Sequence, residues 1–320
     1  MTRSAKPKGL LMKEAARSGA RLIPVTREER EARQRLAACY RVFDYLGWTE
    51  SIFNHITLRV PGPETIFLIN PFGLHYSEVT ASNLVAVDIE GHPVRPAEYP
   101  INLAGFVTHS AIHGHIPAAH CVMHTHTTSG SAVACLEEGL SHDTFYGAQL
   151  YDRVAYHEFE GITVEPDERE RMVASIGDKR VVILRNHGLL TWGETLEEAF
   201  MWLWLLQRAC DIQVAAASVG PLRRVPDSVL TQTRLEGAGD QSRVCKAAFD
   251  ALEEATAITT QQGFSFSLAY STMLLGYVFA THGETSTVSE CSYGRLPSGR
   301  FQEPAQTTGD GPATDHAAAQ

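Results

Sequence analysis

Strands that alternate with helices predict an α/β domain built on a mixed sheet, and three observations carry that prediction. Two capping boxes, Thr26 to Glu29 and Thr195 to Glu198, each open an apolar stripe with helical spacing. Between them lie short β-rich pieces separated by Pro and Gly turns. Residues 181–184 form a continuous apolar run, the mark of a strand buried on both faces.

Taken in order, residues 1–25 read as a loose basic arm without the apolar stretch of a secretory signal. A helix follows from Thr26, with Leu36, Tyr40, Phe43 and Leu46 on one side and Gly47 as its stop. Strands are expected at residues 55–60, 65–70 and 83–89, because Pro-Gly-Pro, Pro-Phe-Gly and Gly-His-Pro segments bound them. A helix over 103–114, a strand over 121–124 and a helix over 129–137 come next. Strands at 154–156 and 162–164 precede a helix over 167–176, which Gly177-Asp178 ends. The last long helix runs from Thr195 to about residue 217, with Ala199, Leu203, Leu206, Cys210 and Val214 at helical spacing. Residues 26–256 are assigned to one domain, and 257–320, rich in Thr, Gln, Ser and Gly, to a poorly ordered tail.

The 320 residues are 44% hydrophobic, enough for a large core. A formal net charge of −10 argues against nucleic acid and anionic membrane as partners. The most lipid-like stretch, 264–281, carries too many Ser, Thr and Gly residues for a span. The six cysteines show no CxxC pair, so they read as small buried hydrophobes in a reducing, cytoplasmic compartment. Small molecules, metal ions and further copies of the chain remain as partners.

The histidines carry the chemistry. His124 and His126 stand two apart on an extended segment, so both side chains point to one side. A tetrahedral metal site needs a third protein ligand, and His187, directly after the buried run, is the best candidate. Gly188 lets the backbone pass close to the ion. A hydrogen-bonded histidine pair at a strand end is the alternative. His109 and His113, one helical turn apart, read as polar helix-face residues, and Trp192, Trp202 and Trp204 as packing.

Several ordered blocks add a resemblance: FNHITLRVPG at 53–62, LINPFGLHYSEVTASNLVAVD at 68–88, PINLAGFVTHSAIH at 100–113, HTHT at 124–127, RNHGLL at 185–190 and GETLEEAF at 193–200. Together they resemble the class II aldolase/adducin family over roughly residues 25–225, closest to its adducin-like bacterial branch. The resemblance implies a three-layer α/β/α sandwich with a mixed central sheet, assembled as a homotetramer with sites between subunits. It implies that His124, His126 and His187 bind a divalent metal, zinc first, with manganese or iron as alternatives. It places Asn54 and Gly73 in the substrate pocket and Tyr146 or Tyr151 as a proton donor toward a neighbouring subunit. The Ser-Ser-Glu motif of the family's sugar-phosphate aldolases falls on Leu103, Ala104 and Gly105, where hydroxyls and carboxylate are both absent. His109, close to the lost carboxylate, is a candidate substitute. The expected activity is a metal-dependent lyase, by aldol cleavage or decarboxylation, on a small oxygenated carboxylate or carbonyl compound. The alternatives are a non-haem Fe(II) oxygenase, although those sites more often use two histidines and a carboxylate, and a non-catalytic adducin-like cytoskeletal binding module.

Overall fold

Helix α1 (Arg27–Leu46) begins at Thr26, whose hydroxyl accepts from the Glu29 N–H, and ends at Gly47 with φ +70°. The Glu29 carboxylate is buried and paired with Arg33 and Arg95, so it ties the helix start to a distant loop. The computed structural model describes residues 24–262 except 64, 162–165 and 237–240. The expected strand at 162–164, the arm up to residue 23 and the tail beyond 262 lie outside the described residues.

Three short strands follow: β1 (His55–Arg59), β2 (Phe67–Ile69) and β3 (Val85–Val87). Then come α2 (Leu103–His115), β4 (Cys121–Thr125), α3 (Thr128–Ala134), α4 (Phe145–Gln149), β5 (Val154–His157), α5 (Pro166–Ile176), β6 (Val181–Leu184) and β7 (Gly188–Gly193). Helices α6 (Leu196–Ala217), α7 (Asp227–Glu236) and α8 (Gln241–Gln262) close the described chain. The strands form one sheet in the order β3-β2-β1-β4-β7-β6-β5, antiparallel except for the β5–β6 pair.

The predicted α/β class and mixed sheet are what is found, and the period-two alternation of the strands builds the layers. On one face Ile56, Leu58, Leu68, Ala86, Met123, Ile183 and Leu189 pack with α1, α6 and α8. On the other face Val122, Val182, Leu184, Leu190 and Trp192 meet α2 and α5, while Phe67, Val85 and Val87 meet Phe106. The Tyr40 hydroxyl joins helix to sheet: it donates to the Ile56 carbonyl at 2.6 Å and accepts from the Ile56 and Asn70 N–H groups.

Several expectations change. Residues 188–193 form a further strand, β7, which the sequence pattern does not mark. Helix α3 stops at Ala134, short of 137, and its cap Cys135 is exposed, unlike the buried Cys39, Cys121, Cys210 and Cys245. Helix α8 crosses residue 256 and reaches Gln262, held to α1 by Arg35, which pairs with Asp250, Glu253 and Glu197 of α6.

Candidate metal centre

Two neighbouring strands bring three imidazoles to one end of the sheet. β4 carries His124 as its fourth residue and His126 just beyond its end. Its antiparallel neighbour β7 pairs Leu189 with Thr125, and the turn before β7 carries His187. One ring nitrogen from each of His124, His126 and His187 lies within 4.8 Å of the others. Nε2 of His124 and Nε2 of His126 are 2.6 Å apart. Ligand nitrogens of a tetrahedral ion with bonds near 2.0–2.1 Å stand roughly 3.4 Å apart, inside that span, so the donor set fits a divalent ion.

The surroundings aim these rings. The His124 Nδ1–H donates to the Leu189 carbonyl at 2.8 Å, which leaves its Nε2 lone pair toward the cluster. Asn186 adopts φ +55°, and its N–H donates to the Ala134 carbonyl at 3.0 Å. The Ser131 hydroxyl donates to the His187 carbonyl at 3.2 Å. Helix α3 therefore grips the turn that carries the third imidazole. Burial pushes His124 well below the usual histidine range, helped by its neighbours His126 and His187. Burial also lowers His126, and it takes His187 down to about 4 with a contribution from His126. Neutral rings are the form that ligates a metal.

The cluster forms part of the wall of a cavity of about 540 Å³. His55, Gly105 and Thr108 line the same cavity, and Phe53, Phe72 and Phe159 supply apolar surface. Glu158 and Glu160 also line the cavity, with Glu160 paired to Arg171, whose hydrogen bond holds the carboxyl below the usual range.

Other expected residues lie elsewhere. Asn54 is buried behind the site, not on the cavity wall. Its Oδ1 accepts from the His126 N–H at 3.2 Å and its amide donates to the Trp48 carbonyl. Gly73, at φ +95°, follows the wall residue Phe72 without lining the cavity itself. Tyr146 packs against the core beside Arg208, and Tyr151 meets the His142 ring edge-on, so neither lines the cavity of its own chain. His109 and His113 are not polar surface residues. Both are buried, facing β1. His55 is the wall residue that sequence reasoning passed over. Its signal was present: His55 and Thr57 alternate with Ile56 and Leu58, a polar pair on one face of a buried strand.

Comparisons with known proteins place this fold in a family. A sequence profile of the family described as Class II Aldolase and Adducin N-terminal domain matches residues 34–214. A Caulobacter vibrioides protein provisionally named aldolase class 2 is 46% identical over 196 residues, 61% of this chain and 76% of that protein. Alpha-adducin of Mus musculus is 44% identical over 208 residues, covering 63% of this chain but 28% of adducin. Among solved structures, an aldolase II superfamily protein from Pseudomonas syringae matches with TM-score 0.68 and 45% identity, over 72% of this chain and 94% of that one. L-fuculose 1-phosphate aldolase from Glaciozyma antarctica matches with TM-score 0.62 and 26% identity, over 84% and 95% of the two chains.

Proposed function

The chain belongs to the class II aldolase and adducin family, and from that premise we propose that it is a divalent-metal-dependent lyase. It cleaves a carbon–carbon bond, by aldol cleavage or decarboxylation, in a small oxygenated carboxylate or carbonyl compound. One observation carries the reading: three imidazole nitrogens within 4.8 Å of one another, on the wall of a cavity of about 540 Å³. His124, His126 and His187 hold the ion, zinc first for a donor set of nitrogens alone, with manganese or iron as alternatives. When bound, the ion supplies positive charge and an open position at which a substrate oxygen is polarised.

The chain's own residues do the remaining work. The Leu189 carbonyl and the Asn54 side chain orient the ligands, and Phe53, Phe72 and Phe159 give the pocket apolar surface. Leu103, Ala104 and Gly105 offer neither a hydroxyl for phosphate nor a carboxylate, which favours an unphosphorylated substrate. Tyr146 and Tyr151, away from their own cavity, serve a neighbouring copy in a homotetramer, and the mass in solution tests that assembly. A cytoplasmic location belongs to the same reading. Among the described residues no helix is long and apolar enough to cross a membrane.

Elemental analysis of protein purified without oxygen tests the metal. About one zinc, manganese or iron per chain is expected, and His124→Ala or His187→Ala should lose it. Protein that holds no stoichiometric metal defeats the reading. Oxygen uptake dependent on added Fe(II) would replace lyase chemistry with an oxygenase. The adducin relatives favour a second reading, a non-catalytic binding module. It predicts cosedimentation with cytoskeletal filaments, unchanged by His187→Ala.

A further inference from the structure

Behind the metal cluster runs a chain of hydrogen bonds that the lyase reading does not use. The His113 Nδ1 lies 2.7 Å from the Ala119 carbonyl. Its Nε2 lies 2.7 Å from the Thr57 hydroxyl, and the same hydroxyl lies 2.8 Å from His109 Nδ1. His109 Nε2 in turn lies 3.0 Å from His55 Nδ1. His55, Thr57, His109 and His113 are all buried, which favours neutral rings.

A carbonyl only accepts, and that fixes every proton in the chain. His113 must donate from Nδ1 to Ala119, so its Nε2 carries a lone pair. Thr57 then donates its one hydrogen to His113 and must accept from His109. His109 is therefore protonated at Nδ1 and accepts at Nε2, so His55 donates from Nδ1. The last free atom is His55 Nε2. It turns toward Gly105, where an added Cβ would sit only 2.1 Å away, and His55 lines the same cavity as the three metal histidines. Among the described residues no hydrogen bond reaches this nitrogen. The His55 ring lies against that of His124, centroids 5.2 Å apart.

We propose that the Ala119 carbonyl, through His113, Thr57 and His109, locks His55 with a lone pair at Nε2, making it the acceptor for a hydroxyl of the bound ligand. Its ligands are then oxygenated compounds with a free hydroxyl next to the metal-binding oxygen. Thr57, His109 and His113 are positioning residues, and His55 is the binding residue. The choice of ligand rests on the metal-site reading, whereas the tautomers do not.

Nitrogen-15 NMR of the ring atoms in the metal-free full-length chain reads the tautomers directly. His55, His109 and His113 should each be protonated at Nδ1 and bare at Nε2. Thr57→Ser keeps the hydroxyl and should keep this pattern. Thr57→Val frees His109 to reverse, and the His55 signals should shift toward a mixture. A wild-type His55 protonated at Nε2, or a His55 tautomer unmoved in Thr57→Val, overturns the proposal. The second arm uses zinc-loaded protein and two probes, glycolate and methoxyacetate, which share a carboxylate and an α-oxygen but differ in whether that oxygen bears a hydrogen or a methyl group. Glycolate should bind about three- to tenfold tighter to wild type and Thr57→Ser, and the preference should shrink in Thr57→Val. Equal binding of the two probes to wild type also overturns it. Failure to bind zinc defeats the lyase reading alone and leaves the tautomers to decide this one.

Discussion

Gly188, the first residue of β7, stands against the end of β4, and its lack of a side chain is a condition of the site. A Cβ there would meet the Thr125 carbonyl at 2.4 Å and His126 Cδ2 at 3.0 Å. Gly188→Ala must therefore push the two strands apart or turn the His126 ring away. Zinc affinity should fall at least about tenfold, by the misplacement of one ligand of three, while the variant still unfolds in one transition. Chelator competition measures this, and an affinity equal to wild type would show that the ring has room to yield. At this scale the sequence spoke clearly about His124, His126 and His187, because strand spacing and an apolar run are local signals. It said little about Asn54 or His109. Asn54 turns its side chain back to the His126 peptide, and His109 is sealed under β1. Which way a polar side chain points depends on what packs over it, and no neighbour in sequence tells that.

The β6–β7 hairpin is the element that completes the metal site. Its turn relies on Asn186 in the left-handed region, where Asn and Gly are tolerated and branched residues are not. Asn186→Gly should be close to neutral. Asn186→Val should cost roughly 1–2 kcal/mol and weaken zinc binding, because His187 follows directly. Urea unfolding and zinc titration of both variants check this, and a Val variant with wild-type values would deny the turn its role. Most elements were legible because caps and apolar periods mark them: Thr26 and Thr195 accept from Glu29 and Glu198 as their boxes predict. β7 was not, because Arg-Asn-His lacks the Gly-rich signature of a tight hairpin. Helix α3 ended early for a related reason: the segment after Ala134 is drawn to the hairpin turn, with the Ala134 carbonyl bound to Asn186.

At the scale of the whole molecule, the layers were legible through alternation, since each strand sends successive residues to opposite faces. The strand order was not, because β1 pairs with β4 and β4 with β7 across long separations. The buried histidines set the response to acid. Burial takes His55 down to about 3, with His126 and His187 adding, and it takes His113 down to about 4. Unfolded histidines titrate near 6.5, so below that pH the unfolded chain binds more protons than the folded one. Stability should be full above about pH 6.5 and decline as pH falls toward 4, by up to about 1.4 kcal/mol per pH unit for each such histidine. Urea midpoints of metal-free protein at pH 7, 6 and 5 test this, and a flat series contradicts it. The metal-ligand set also bears on the order of assembly. His126 and His187 are about sixty residues apart in the chain and meet only through the β4–β7 ladder. An ion cannot gather all three imidazoles until that long-range pairing is made, so capture comes after the slow step of folding. Zinc should then leave the refolding rate nearly unchanged and slow unfolding instead, making the ion a latch on a finished sheet.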